Sequence, residues 1–205
     1  MFAVVESGSI TSMPKGNKGI TIGGNQYAKA IYTLWTEAER NAIGVYTVEI
    51  DETNKKDEAW YINTNITYAF GSGKVTGTYG TATAKNIADT KWTQTEIDDG
   101  DAPTGADTNT VKDEGLKTIK KRILNNQCKS ILAPSDWMAS KAFEEGGDVE
   151  SGWKTWRASV RTKCNSMQTQ IDNAANVDAL IALFTYTKQE DGSLTRPLGE
   201  FPIKE

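Results

Sequence analysis

An acidic segment with almost no apolar residues, residues 94–112, limits how this chain can fold because it separates two different hydrophobic patterns. It carries Asp98, Asp99, Asp101 and Asp107 among Gly and Pro residues, a composition typical of a linker. Short apolar runs bounded by turn residues precede it, which indicates strands, and helical periodicity follows it. The sequence therefore predicts an α+β fold.

The predicted organisation has four parts, within a chain of 205 residues that is long enough for one domain or two small ones. Residues 1–93 form a β-rich part with hairpins that serves oligomerisation or attachment. Residues 94–112 are the acidic linker, and residues 113–188 are a helical module of three to four helices. Residues 189–205 form an extended tail, because Pro residues interrupt this last stretch.

The β-rich part begins with strands predicted near residues 2–6 and 9–13. Thr36 and Glu39 have the spacing of a capping box, which indicates the start of a short helix. A long Thr-rich hairpin follows, with its turn at residues 71–73, and its two faces are only partly apolar. Because such a hairpin is marginally stable alone, we expect it to pair with another surface, including one on a second chain.

The helical module is predicted from apolar residues that recur every three or four positions. The stripes of its two longest helices comprise Leu116, Ile119, Ile123, Leu124, Cys128 and Ile131, and then Trp153, Trp156, Val160, Cys164, Met167 and Ile171. Pro134 is expected to force the residue before it out of the helix, and the Ser135 hydroxyl to cap the next helix. Asn176 is expected to cap a further helix.

Composition argues against several classes of function. The chain has no His, the commonest general base and metal ligand, and only two Cys, so we expect no cofactor. A net charge of −4 argues against a nucleic-acid partner, because neutralising phosphates needs clustered Lys and Arg. No run approaches the roughly 20 apolar residues of a membrane helix, and no signal-peptide pattern is present. We therefore expect no membrane partner and synthesis in a cytoplasm.

No pattern in the sequence indicates catalysis, and we expect that the protein is not an enzyme. Residues 71–74 resemble part of a phosphate-binding loop, but Val75 stands where that loop requires Ser or Thr, so a hairpin turn is the better interpretation. The acidic clusters at residues 98–101 and 144–145 lack the order of oxygen ligands found in calcium loops. Carboxylates of a glycosidase must face each other across a cleft, and no pair here is placed so by the sequence.

Two tryptophans and two arginines on one predicted helix are candidates for contact with a partner. Trp153 and Trp156 lie three positions apart, which indicates a core or interface pair more than a sugar-stacking platform. Arg157 and Arg161 lie one turn apart. They are either a solvated flank or forks for carboxylates on a neighbouring helix or subunit.

The two cysteines, Cys128 and Cys164, fall on the apolar stripes of two helices. If both are packed inside, they are buried thiols or one intrachain disulfide. If one is exposed, it becomes an intermolecular attachment link. Buried free thiols are the commoner state in a chain without a secretion signal.

Two short motifs carry a resemblance to a known family. The first is Ile-Leu-Ala-Pro-Ser-Asp-Trp-Met at residues 131–138, and the second is Trp-Lys-Thr-Trp-Arg-Ala-Ser-Val-Arg at residues 153–161. Together they resemble the helical module of bacteriophage tail-fibre and tail-fibre-assembly proteins, in which Ser/Thr-Asp-Trp is followed, after a loop, by Trp-x-x-aromatic-Arg-x-x-Val/Leu-Arg. The family usually has Tyr in place of Trp156, and the loop here lacks its common Pro. The resemblance covers about residues 116–183.

The resemblance implies a structural component of a phage tail, either a short tail fibre or a baseplate-attached fibre protein involved in host adsorption. It implies a homo-oligomer, a trimer by analogy with fibres, that contacts other tail or baseplate proteins in the virion after assembly in the host cytoplasm. The implied docking face comprises Trp137, Trp153, Trp156, Arg157 and Arg161. The alternative is an assembly chaperone that caps or folds a separate fibre, and a receptor-degrading glycosidase is a distant third.

Overall fold

The computed structural model describes residues 1–204, and these divide into two compact units between Thr83 and Ala84. Helices contain 37% and strands 23% of the residues, so the predicted α+β class is confirmed. Because the division lies before the acidic segment, residues 84–93 belong to the same unit as the helical module. Within residues 1–204, no helix has both the length and the apolar character needed to cross a membrane.

The first unit is built mainly from short strands, as its many turn residues favour. The strands are β1 (Phe2–Glu6), β2 (Ser9–Ser12), β3 (Ile20–Ile22), β4 (Asn25–Tyr27), β5 (Val45–Asp51), β6 (Tyr61–Ile62), β7 (Ile66–Gly71) and β8 (Lys74–Tyr79). The helices are α1 (Ile31–Leu34) and α2 (Glu37–Ala42). The first two predicted strands correspond to β1 and β2.

Five of these strands form one sheet in the order β2-β1-β5-β8-β7. Neighbouring strands are antiparallel except β5 and β8, which are parallel. Val75 of β8 lies opposite Val48 of β5 and Phe70 of β7, and it belongs to one apolar core with Ala3 and Val5 of β1. Cα atoms of the two outer strands, β2 and β7, come within 8 Å of each other, so the sheet is strongly curled.

The predicted Thr-rich hairpin consists of β7 and β8, which are joined by Ser72 and Gly73 with positive φ. It finds a partner inside the chain, because β8 pairs with β5. Ile66, Tyr68 and Phe70 alternate along β7 and are half-buried. Of the two strands, only β7 lies at an edge of the sheet. Pairing of the hairpin with a second chain therefore stays a prediction, and it would involve β7.

The predicted capping box at the start of α2 is present. The Glu39 amide donates to the Thr36 hydroxyl over 3.3 Å, and the Thr36 amide donates to the Glu39 carboxylate over 2.7 Å. Gly44 follows the helix with φ +79°, and its amide donates to the Asn41 carbonyl over 3.0 Å. A Cβ atom at Gly44 would lie 2.6 Å from the carbonyl oxygen of Val5, so glycine is needed where the chain passes β1.

The second unit combines two-stranded ribbons with helices. Its strands are β10 (Thr90–Lys91), β11 (Val111–Asp113), β12 (Thr187–Lys188) and β13 (Leu194–Thr195), and β9 (Thr83–Ala84) lies at the boundary between the units. Its helices are α3 (Gln94–Asp98), α4 (Leu116–Leu132), α5 (Asp136–Glu144), α6 (Ser151–Asn173) and α7 (Val177–Phe184). The predicted helical module is therefore present as the four helices α4 to α7.

The acidic segment, residues 94–112, has more regular structure than its composition predicts. Thr93 and Glu96 form a capping box at the start of α3, and Lys112 forms an ion pair with Glu96. β10 and β11 pair with each other on either side of this helix. The sequence did contain a signal for this structure, because Thr93 and Glu96 have the same Thr-x-x-Glu spacing as the box of α2.

Helices α4 and α6 pack against each other through residues of the predicted stripes. Their buried members are Leu116, Leu124, Cys128, Val160, Cys164, Met167 and Ile171. Helix α7 begins at the predicted Asn176 cap, whose side chain accepts a hydrogen bond from the Ala179 amide over 2.8 Å. Ile123 departs from the prediction, because it is 46% exposed instead of buried.

The connection between α4 and α5 differs from the prediction. Ala133, before Pro134, keeps helical backbone angles, and Ala133–Ser135 forms a 3-10 turn in place of a break. The Ser135 side chain does not cap α5; its hydroxyl donates to the Leu132 carbonyl over 2.8 Å. Both predictions were wrong because Ser135 is buried, and its hydroxyl is bonded to the preceding turn instead of the next one.

The predicted extended tail contains one short strand, β13, whose partner β12 lies just before it, and it is otherwise irregular up to residue 204. β12 and β13 pair as antiparallel strands. Leu198 beyond them is 1% exposed, and its amide donates to the Leu183 carbonyl over 3.1 Å. The tail is therefore anchored on the helical module by a buried side chain.

Replacing Gly44 by Ala is expected to destabilise the first unit more than the matched change Gly24→Ala. Both glycines have positive φ, +79° and +84°, so each change costs about 1–2 kcal/mol in backbone energy. Nothing lies within 4 Å of the Cβ position at Gly24, whereas Gly44 meets the Val5 carbonyl. We expect Gly44→Ala to lower the free energy of unfolding by about 3 kcal/mol, measured by urea denaturation. Equal losses for the two variants would contradict the close contact.

The Glu96 carboxyl is expected to titrate well below its ordinary range. The hydrogen-bonded ion pair with Lys112, followed by hydrogen bonds from Thr93, lowers its pKa from 4.5 to about 2. Because the folded-state pKa is the lower one, the resulting stability is present above pH 4.5 and is lost as the pH falls toward 2. In a carboxyl NMR titration, Lys112→Met should raise the Glu96 pKa, and Lys91→Met should not. An unchanged pKa in Lys112→Met would rule out the ion pair.

Candidate functional site

The two motifs that carry the family resemblance meet at the side chain of Arg157. Its guanidinium donates to the Leu132 carbonyl over 2.9 Å and to the Ser135 hydroxyl, and it pairs with the Asp136 carboxylate at 2.6 Å. A planar guanidinium with five N–H donors suits such a set of diverging acceptors. We call these four residues the arginine clamp. It joins the end of α4 and the start of α5 to α6.

The clamp distinguishes the roles of the two arginines on α6. Arg157 is a fork for a carboxylate on a neighbouring helix, one of the two interpretations that its sequence position allowed, and its side chain is 12% exposed. Arg161, one turn later, is exposed and lies on the solvated flank. The Ser135 hydroxyl accepts a hydrogen bond from the Arg157 guanidinium and donates one to the Leu132 carbonyl. Ser135 is 1% exposed, so these two hydrogen bonds satisfy a buried polar group.

The two tryptophans of α6 are half-buried and contact the tail. Trp153 and Trp156 form an edge-to-face pair with ring centroids 5.6 Å apart. The Trp156 indole donates to the Pro202 carbonyl over 3.0 Å, and the Lys204 ammonium lies 5.4 Å from the centroid of a Trp153 ring. The two rings therefore bind the tail, which favours a packing role over an open platform for sugar stacking.

Helix α5 has no buried residue, although it carries large apolar side chains. Trp137 is 57% exposed and Phe143 is 88% exposed. Trp137 also lines a shallow cavity of about 280 Å³, together with Met138 and Glu145. Exposed large apolar side chains that are concentrated on one short helix mark interaction sites more often than isolated ones do. Trp137, which belongs to the predicted docking face, is thus exposed and available for contact with a partner.

A larger groove, which the sequence did not predict, lies between α4 and the tail and has a volume of about 900 Å³. Its floor on α4 comprises Ile123, Asn126, Gln127, Ser130 and Ile131. Its other side comprises Tyr186, just before the tail, and the tail residues Arg196, Glu200, Phe201 and Ile203. Ile123 and Ile131 lay on the predicted stripe of α4, so the sequence contained their pattern but not their exposure. The apolar residues of the tail gave no periodic signal.

Tyr186, just before the tail, and Arg196 and Glu200 of the tail hold one wall of the groove together. The Tyr186 hydroxyl donates to the Glu200 carboxylate over 2.7 Å, and Arg196 pairs with the same carboxylate at 2.8 Å. The Arg196 guanidinium carbon also lies 5.0 Å from the centroid of the Tyr186 ring. The hydrogen bond to Glu200 raises the pKa of Tyr186, so its phenol stays protonated. The wall thus combines the Tyr186 ring with the Arg196–Glu200 ion pair, in which the two charges compensate each other. Such a wall suits contact with apolar side chains of a partner.

Cys128 and Cys164 are both free thiols that are buried on the packed helices α4 and α6. The Cys164 thiol donates to the Asn125 side-chain oxygen over 3.6 Å, and the Gln168 amide donates to the same oxygen over 3.0 Å. Burial raises the pKa of the Cys128 thiol, and the hydrogen bond with Cys164 raises it further. Because both sulfurs are buried, neither is presented for attachment to another chain. Across residues 1–204, no cluster of three or more potential ligand side chains is arranged to hold a metal ion.

Removal of the clamp is expected to loosen α5. In Arg157→Ala, the buried Ser135 hydroxyl and the Leu132 carbonyl lose a charged donor, at a cost of about 1–3 kcal/mol. We expect amide hydrogen exchange in α5 to accelerate by about tenfold or more. The matched variant Arg161→Ala removes an exposed arginine from the same helix and should leave exchange in α5 unchanged. Similar exchange rates in both variants would show that the clamp does not hold α5.

Comparisons with known proteins identify no family for this chain. No protein-family model matches its sequence, no curated protein matches it, and no solved structure matches its fold. The resemblance to phage tail proteins therefore depends on the two motifs, and the arginine clamp is the physical contact between them.

Proposed function

We propose that this protein is a structural component of a phage tail, a short tail fibre or a baseplate-attached fibre protein involved in host adsorption. The observation that carries the proposal is the arginine clamp. Residues of the first motif, Ser135 and Asp136, bind Arg157 of the second motif, although more than 20 positions separate them in the sequence. Motif residues that bind one another have a shared structural role, which supports the interpretation of both motifs as parts of one module.

The clamp and the tail suit a docking role for this module. Arg157 fixes the first turn of α5 on α6, and Trp137 directly follows the clamped Asp136. A large aromatic side chain that is exposed on a fixed backbone loses little conformational entropy when it binds a partner. The partners that we propose are further copies of the chain and other tail or baseplate proteins, and the location is the virion.

We also propose that the chain forms a homo-oligomer, a trimer by analogy with fibres. In the first unit, a strand of another copy could pair with β2 or β7 only where these outer strands do not face each other across the curled sheet. In the second unit, the exposed aromatics of α5 and the groove on α4 offer non-polar surface. Both units thus have surface available for subunit contacts.

The assembly chaperone is the second candidate, and the open groove on α4 is the observation that favours it. A groove of this kind can hold a segment of a separate fibre during assembly. A receptor-degrading glycosidase is the third. It would need two facing carboxylates, whereas Glu200 of the groove is already bonded to Arg196 and Tyr186. This bonding favours a binding role for the groove over an acid–base role.

Quantitative mass spectrometry separates these candidates. We expect the chain in purified particles of the phage that encodes it, at a copy number that is a multiple of three. A known virion protein and a known assembly factor, measured in the same particles and in lysate of infected cells, serve as controls. If the chain is present in the lysate but missing from particles, the structural proposal fails and the assembly chaperone is supported.

A further inference from the structure

The exposed side chains of α5 form a ridge of the kind that packs between helices. Trp137, Ser140 and Phe143 follow one another at intervals of three residues, and all three are exposed. Such i±3 rows project from a helix as an inclined ridge, with the small Ser140 between two aromatic rings. Because α5 buries no residue in its own chain, this ridge has no partner surface there.

The groove on α4 has the complementary arrangement. Ile123, Gln127 and Ile131 form a row with intervals of four residues, and Asn126 and Ser130 form the next row. The space between two i±4 rows accepts an i±3 ridge of another helix, and the helices then cross at about +20°. Ile203, which is 88% exposed, adds apolar surface at the edge of the groove. The floor of the groove thus fits a short helix with a large-small-large ridge.

The charges around the two surfaces are opposite. Residues 136–150, which contain α5 and the loop after it, have five acidic residues and one basic residue, a net charge of −4. Helix α4 has five basic residues and no acidic one, a net charge of +5. Lys121 and Arg122 are paired with Asp172 and Glu114, and Asp136 and Asp148 are paired with Arg157 and Lys154. Leaving these pairs out reduces the net charges to −2 for residues 136–150 and +3 for α4, and the remaining cations of α4 lie outside the groove lining. The signs of the two surfaces stay opposite. Opposite potentials favour an encounter between α5 of one copy and α4 of another.

We infer that α5 of one copy of this chain packs its ridge of Trp137, Ser140 and Phe143 into the groove on α4 of a second copy. The groove of the same copy is not the site, because the arginine clamp holds α5 on its own α6 while Trp137 and Phe143 stay exposed. The contact is heterologous, since each copy offers a ridge to one neighbour and a groove to another. Repetition of such a contact closes a ring when the rotation between copies permits it. This inference rests on the homo-oligomer in the proposed function and names its interface.

Three single substitutions at exposed positions test the contact in the full-length chain by sedimentation velocity. Phe143→Asp replaces one of the two aromatic rings of the ridge by a charge, and Ile203→Asp places a charge at the edge of the groove; both side chains are 88% exposed. Leu34→Asp is the matched control, because Leu34 is 79% exposed and belongs to the first unit. We expect the unsubstituted chain and the control to self-associate, and each of the other two variants to associate at least about tenfold more weakly. Circular dichroism verifies that all variants remain folded.

A mixture of the two defective variants gives the sharpest result. Phe143→Asp retains a groove and Ile203→Asp retains a ridge, so the mixture should form a one-to-one dimer and no larger species. A monomeric unsubstituted chain, association unaffected by either variant, or a mixture that behaves as its separate components would each overturn the inference. Detection of the chain in virions is measured independently. A chain that is present in particles but lacks this contact would refute the interface and leave the proposed function standing.

Discussion

The interactions of a single guanidinium determine where α5 lies in the second unit. Arg157 binds a carbonyl at the end of α4, a buried hydroxyl in the following turn and a carboxylate at the start of α5. Without it, α5 would be a nine-residue helix with no buried side chain, and helices of this length are marginal in water. The position of the aromatic ridge therefore depends on the polar contacts of one side chain, Arg157. Apolar packing, in contrast, holds α4, α6 and α7.

The course of the tail along the helices likewise depends on a few contacts. Leu198 is buried, and Trp156 binds the Pro202 carbonyl, so a segment with little regular secondary structure has a fixed course along the helices. This course creates the groove, because α4 alone would present only an open row of side chains. The sequence features that position the candidate site are thus a hydrophobic anchor, an indole donor and a guanidinium fork.

Much of the fold was predictable, because local signals and burial agree. The capping box at Thr36 and the cap at Asn176 formed as their spacing predicts, and most of the stripes on α4 and α6 are buried. Pro134 misled the prediction, since the preference against a helix before proline is small and the buried turn around Ser135 outweighs it. The groove was not predictable. Its tail wall has no periodic pattern, and only the tertiary fold shows that Ile123 faces it.

The distance along the chain between the floor and the wall of the groove has a consequence for the order of synthesis. A ribosome completes α4 and α5 before it reaches Arg196, Glu200 and Phe201. A nascent chain therefore carries the ridge while its own groove is still unfinished, and it can be a donor before it can be an acceptor. Two nascent chains could therefore not form this contact with each other, and the acceptor in each contact would have to be a chain whose translation has passed the tail.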